Sequence, residues 1–171
     1  MLDNLCLIGP MGAGKTTIGR LLAANLRKEF VDIDHQIEAA AGVSISWIFD
    51  VEGEEGFRSR ESKVLDTVLQ RSDMVVATGG GAILAEHNRQ LIRNRATVIY
   101  LKVEIDVLAK RLAHDATRPL LQSDNRLEII GRLYEEREPL YQSCADLVVA
   151  TDSMTPKQAA QFIIERMADG R

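Results

Sequence analysis

Residues 9–16 read GPMGAGKT, a G-x-x-x-x-G-K-[ST] pattern, set between the apolar run LCLI at 5–8 and a segment where Ile18, Leu21, Leu22 and Leu26 recur at helical spacing. No other feature constrains the chain as much. A strand, a glycine-rich turn and a helix in register bring consecutive backbone N–H groups, the unpaired donors of a first helical turn and its positive dipole end to one point, where phosphate oxygens bind. Gly12, Ala13, Gly14, Lys15, Thr16 and Thr17 are therefore the candidate nucleoside triphosphate contacts. Lys15 is expected to bridge the outer phosphates and the Thr16 hydroxyl to bind Mg²⁺.

Four further apolar runs, at 30–33, 74–77, 98–101 and 147–149, alternate with segments of helical spacing. This pattern predicts an α/β fold, a parallel sheet with helices on both faces. At 171 residues the chain is expected to form one domain over 1–171, long enough for one core and too short for two. Thr155-Pro156 followed by Gln158 predicts a capped start for the last helix.

Two stretches interrupt the alternation. Residues 42–60 hold Trp47 and the turn-prone EGEEGF, and predict a small helical insertion, about 34–60, before a long helix at 61–70. Residues 114–125, HDATRPLLQSDN, have no period, and Pro119 biases Arg118 away from helical geometry, so a lid is expected there.

A net charge of −4 and a pI near 5.4 argue against general nucleic-acid or membrane-surface binding, while an anionic small substrate needs only a local arginine cluster. No apolar stretch approaches the roughly 20 residues of a membrane span, and the N-terminus lacks the basic flank and cleavage site of a secretory signal. Cys6 and Cys144 lack metal-ligand spacing and are expected to be buried thiols. A cytoplasmic protein is expected.

Triphosphate binding alone does not separate a kinase from a GTP-dependent switch. Asp50-Val-Glu-Gly53 mimics the D-x-x-G element, but it follows no apolar strand, and the chain has no N-K-x-D or T-K-x-D motif. At Val31-Asp32-Ile33-Asp34, alternate positions on a strand would send both carboxylates from the same face at a carboxyl end, where ligands sit in open parallel sheets. Asp32 would hold water on Mg²⁺ and Asp34 would accept a hydrogen bond from a substrate hydroxyl. Alternatively, one or both cap a helix starting near His35. Gly79, Gly80 and Gly81 follow a strand run, where a backbone without Cβ atoms can approach a small polar ligand closely; flexible turn filler is the other reading.

Taken in order, the P-loop, Asp32-x-Asp34, Gly56-Phe57-Arg58 with Arg60 and Glu61, Gly79-Gly80-Gly81, Arg118-Pro-Leu-Leu121 and Arg137-Glu-Pro-Leu-Tyr141 resemble shikimate kinase. The resemblance implies the nucleoside-monophosphate-kinase type of P-loop fold with a five-stranded parallel sheet. It also implies phosphorylation of the 3-hydroxyl of shikimate by Mg-ATP, in the pathway to chorismate and the aromatic amino acids. By the same resemblance the acceptor site comprises Asp34, Arg58, the glycines around Gly80, and Arg137, with Arg118 as a nucleotide-facing lid arginine and Lys15, Asp34 and Arg118 as the catalytic set. Arginine suits the acceptor because its planar fork pairs bidentately with a carboxylate. Glu61, three residues after Arg58 and on the same helical face, is expected to orient that guanidinium. Adenine contacts are placed near Arg111 and residues 150–153.

The expected partners are two small molecules, ATP and shikimate, on a monomer. A kinase for gluconate or a nucleoside monophosphate is the second reading, and does not explain the paired arginines. A catalytically dead shikimate-binding regulator is disfavoured by the presence of Lys15, Thr16, Asp34 and Arg118 together.

Overall fold

Five parallel strands in the order β2-β3-β1-β4-β5 form the centre of the molecule. They are β1 (Asn4–Ile8), β2 (Glu29–Asp32), β3 (Met74–Ala77), β4 (Ala96–Lys102) and β5 (Leu147–Ala150). The computed structural model describes residues 3–113 and 125–169. Most of the expected lid, including Arg118, lies outside the described residues.

Successive side chains of a strand point to opposite faces, and here both faces are covered. Leu5, Leu7, Val75, Ile99 and Leu101 pack with Ile18 and Leu22 of α1 (Lys15–Leu26) and with Ala160 and Ile163 of α7 (Pro156–Asp169). On the other face Cys6, Ile8, Val76, Val98 and Tyr100 pack with Leu65 and Leu69 of α3 (Ile45–Leu69), Ile92 of α4 (Glu86–Arg95) and Tyr141 of α6 (Arg126–Cys144). Burial on both sides is why the central runs read as continuous apolar segments. Cys6 and Cys144 are free and buried in this second layer. No helix among the described residues is long and apolar enough to cross a membrane.

The α7 terminus is a reciprocal capping box: Gln158 N donates to Thr155 Oγ1 at 3.2 Å and Thr155 N to Gln158 Oε1 at 2.9 Å. Two sequence expectations need correction. The run at 30–33 does not continue as strand through Ile33: β2 ends at Asp32 and Ile33 begins α2 (Ile33–Ala41). Asp34 therefore stands in a first helical turn, not at an alternate strand position. The second correction concerns the boundary between the insertion at 42–60 and the helix at 61–70: α3, started by Ser44 Oγ accepting from Trp47 N at 3.2 Å, is two helices that meet at a kink at Gly53, so the second begins before residue 61. Within EGEEGF only Gly53 leaves helical geometry, at φ 70° and ψ −177°. One glycine is enough to redirect the chain there, because the flanking glutamates remain good helix formers.

Candidate active site

The carboxyl ends of β1, β2 and β3 are neighbours in the sheet, so the loops leaving them meet. After β1 the chain turns through Gly12 and Gly14 at φ 79° and 92°, a region where a side chain is strained. The second turn sets the start of α1 at Lys15, and no side chain caps its first-turn N–H groups. Those donors and the positive end of the helix are left for an anion. Lys15 is nearly buried, its ammonium donating to the Gly9 and Pro10 carbonyls at 2.7 and 2.8 Å.

Asp32 has two tasks. Its Oδ1 accepts from His35 N at 3.3 Å, capping α2, and its Oδ2 accepts from the Thr16 hydroxyl at 2.6 Å. Capping and metal-side roles are compatible because a carboxylate has two oxygens. A threonine hydroxyl beside an aspartate is a hard oxygen donor pair that fits Mg²⁺, which takes few protein ligands and leaves its other positions to water and phosphate.

Lys15, Thr16 and Asp32 line one cavity of about 800 Å³ together with Asp34, Arg58, Glu61, the three glycines and Arg137. The glycine run is held at its base by Thr78, whose N and Oγ1 both donate to the Leu7 carbonyl at 3.1 and 3.0 Å. None of Gly79, Gly80 and Gly81 has a positive φ. Space is the constraint instead. A Cβ on Gly79 would stand 2.9 Å from both Asp34 Oδ1 and Glu61 Oε2, and one on Gly80 would stand 3.3 Å from Met11 N and 3.6 Å from Arg137 Nη1. On Gly81 it would fall 2.5 Å from Arg58 Cζ.

Arg58 donates to Glu61 Oε1 at 2.8 Å and to Glu54 Oε1 at 3.3 Å, and its guanidinium lies 5.1 Å from the Phe57 ring centre. Glu61 is 0% exposed, and its Oε2 is hydrogen-bonded to nothing among the described residues. Burial pushes its carboxyl above the ordinary range against the opposing pull of Arg58, and Asp34 adds a smaller push in the same direction. Arg137 is 4% exposed, with no acidic side chain at ion-pair distance among the described residues. A buried guanidinium in that state attracts an anionic ligand.

Not every sequence candidate reaches the cavity. Arg111, on α5 (Ile105–Leu112), donates to the Gly12 carbonyl at 2.9 Å and does not line this cavity, and Ala13 is buried. Residues 150–153 are absent from the lining; Thr151 N instead donates to the Lys102 carbonyl at 3.0 Å. Arg60 pairs with Glu52 at 2.7 Å. Lining residues that carried no role in the sequence reading are Met11, Glu38, Ser44, Ile45, Ser46, Phe49, Phe57 and Thr78. Phe49 and Phe57, with ring centres 4.8 Å apart, form an apolar wall across the Gly53 break. Their signal was hidden because a spacing of eight matches helical periodicity only if the helix is unbroken.

The raised Glu61 group makes stability depend on pH. The folded chain holds that proton more tightly than the unfolded chain, so the contribution is complete below the ordinary glutamate value and is lost as pH rises through the folded one. Urea unfolding of the wild type and Glu61→Gln between about pH 4.5 and 7.5 checks this. The wild type is expected to lose stability relative to the glutamine variant as pH rises. A widening advantage for glutamate would mean that the attraction of Arg58 outweighs burial.

The sequence profile of the shikimate kinase family matches residues 11–168. A shikimate kinase of Chromohalobacter salexigens is 50% identical over 165 residues, covering 96% of this chain and 92% of its own. The chain belongs to the shikimate kinase family. A Vibrio parahaemolyticus shikimate kinase is 48% identical over 97% of this chain and 96% of its own. Among solved structures, the Acinetobacter baumannii shikimate kinase in complex with shikimate superposes with a TM-score of 0.97 at 42% identity, covering 100% of this chain and 96% of that one. This small-molecule kinase thus uses ATP as co-substrate, and its all-parallel β2-β3-β1-β4-β5 sheet is the nucleoside-monophosphate-kinase type of P-loop fold.

Proposed function

We propose that this kinase transfers the terminal phosphoryl group of ATP to the 3-hydroxyl of shikimate, giving shikimate 3-phosphate and ADP in aromatic amino-acid biosynthesis. One observation carries the reading: the phosphate loop with Lys15 and Thr16 shares a single cavity with Asp34, Arg58, Gly80 and the buried Arg137. A triphosphate tail and an acidic cyclic alcohol would lie side by side there.

Phosphoryl transfer asks for alignment and positive potential more than covalent chemistry. Arg58 and Arg137 fork onto the shikimate carboxylate, and Glu61 keeps the Arg58 guanidinium in place. The glycine run brings backbone amides to the acceptor, and Phe49 and Phe57 cover its apolar ring face. Asp34 aligns the 3-hydroxyl and takes its proton. Lys15 leaves the loop carbonyls to neutralise the outer phosphates, and Arg118, in the lid expected at 114–125, adds charge over the moving group. Mg²⁺, held through Thr16 and by way of water on Asp32, would supply charge neutralisation between the outer phosphates. Residues 1–171 would work as one cytoplasmic, monomeric domain, with 34–60 as the acceptor-side insertion.

The test is a panel assay. The purified chain is incubated with Mg-ATP and shikimate, quinate, gluconate or nucleoside monophosphates, following ADP release and product mass. Phosphorylated shikimate in large excess over the other products is expected; turnover confined to gluconate or a nucleotide would refute the reading.

A further inference from the structure

Tyr141 lies on α6 one turn beyond Arg137 and is 1% exposed. Its ring stacks on Tyr100 of β4 with centres 5.1 Å apart, which anchors the phenol in the core. From there its hydroxyl donates to the Gly80 carbonyl at 2.5 Å. The flanking carbonyls of Gly79 and Gly81 accept from Ala82 N and Leu84 N, at 3.2 and 3.1 Å, inside the short turn that follows. The middle carbonyl is thus the one tied to a different element by a side chain.

A peptide between two glycines has little steric resistance to rotation, so its orientation must come from hydrogen bonds. In a planar trans peptide the N–H of Gly81 lies on the edge opposite the Gly80 carbonyl. With that carbonyl drawn toward α6, the Gly81 N–H faces away from Tyr141, and both glycines line the cavity. Arg137 Nη1 approaches the same residue, lying 3.6 Å from where a Gly80 Cβ would stand.

We propose that Tyr141 is a positioning residue of the acceptor pocket: its hydroxyl locks the Gly80–Gly81 peptide so that the Gly81 N–H faces the acceptor beside the Arg137 guanidinium. The acceptor's identity rests on the shikimate reading above. Burial pushes the phenol up to about 12, so the hydroxyl remains a donor at neutral and moderately alkaline pH and the lock does not switch with pH.

Tyr141→Phe keeps the ring and its stacking and deletes only the hydroxyl. In the ligand-free protein the Gly80 and Gly81 amide NMR resonances are expected to shift or broaden, while those of Gly12 and Gly14 stay in place. Unchanged Gly81 signals overturn the lock. In kinetics KM for shikimate is expected to rise about tenfold, with KM for ATP within about twofold of wild type. An equal rise in both constants, or none for shikimate, overturns the positioning role. If wild type itself does not phosphorylate shikimate, the functional reading fails, and the ligand-free spectra still decide the lock. Should the variant not fold, the hydroxyl proton of Tyr141 in wild type is followed instead. It is expected to shift on adding shikimate and not on adding ADP, and no response to shikimate overturns the proposal.

Discussion

Asp34→Asn is expected to lower kcat about a thousandfold while leaving KM for ATP within about twofold of wild type. The replacement is nearly isosteric, so the side chain still fits beside Gly79, where the carboxylate approaches closely enough to exclude a Cβ. What it loses is the ability to take a proton. A carboxylate is a weak base toward an alcohol, so the proton moves late, as the new bond to phosphorus forms, and holding the reactants in line supplies on the order of 7 to 11 kcal/mol of the barrier reduction. The late proton still needs an acceptor. The ATP side is spared because Thr16 is held by Asp32, a different carboxylate. Steady-state kinetics decides, and a kcat within a few-fold of wild type would remove Asp34 from its role.

Gly81→Ala is expected to reduce kcat/KM for the acceptor ~100-fold to ~1,000-fold while the fold and ATP binding are retained. Gly81 has φ −95°, an ordinary value for alanine, so the substitution tests space and not dihedral strain. The added methyl would fall 2.5 Å from both Cζ and Nη1 of Arg58, with Nη2 nearer still. The guanidinium must shift. The shift is expected to break the 2.8 Å bond to Glu61, leaving its fully buried carboxylate without its cation and favouring uptake of a proton. Gly131→Ala on α6 serves as the control, because its methyl meets Ile105 at an ordinary 3.7 Å. Isothermal titration with shikimate and with ADP separates the two sites. Unweakened shikimate binding in Gly81→Ala would show that Arg58 does not depend on the space above that glycine.

The parts legible in the sequence were those with a local signature. The P-loop declares itself by spacing, the α7 cap by a four-residue pattern, and the run at 74–77 coincides with β3 because both its faces are buried. The Asp32-Asp34 pair shows where local signature ends. Ile33 is buried whether it closes a strand or opens a helix, so the hydrophobic pattern cannot tell the two apart. On a strand, alternate side chains share a face, whereas on a helix they diverge by about 200°. That divergence is consistent with Asp32 meeting Thr16 while Asp34 lies beside Gly79.

By itself the sequence determined that a strand-loop-helix unit would bind a triphosphate, that the sheet would be parallel, and which residue types were available to hold an acid. Only the tertiary structure decided that Gly12 and Gly14 are required for their dihedrals and Gly79 to Gly81 for room, that Arg111 is tied to the Gly12 carbonyl, and that Arg58 and Arg137 share a cavity. Dihedral preference and periodicity are carried by neighbouring residues and can be read along the chain. The clearance above a glycine depends on side chains delivered by α3 and α6, and their positions are set by how helices pack on the sheet.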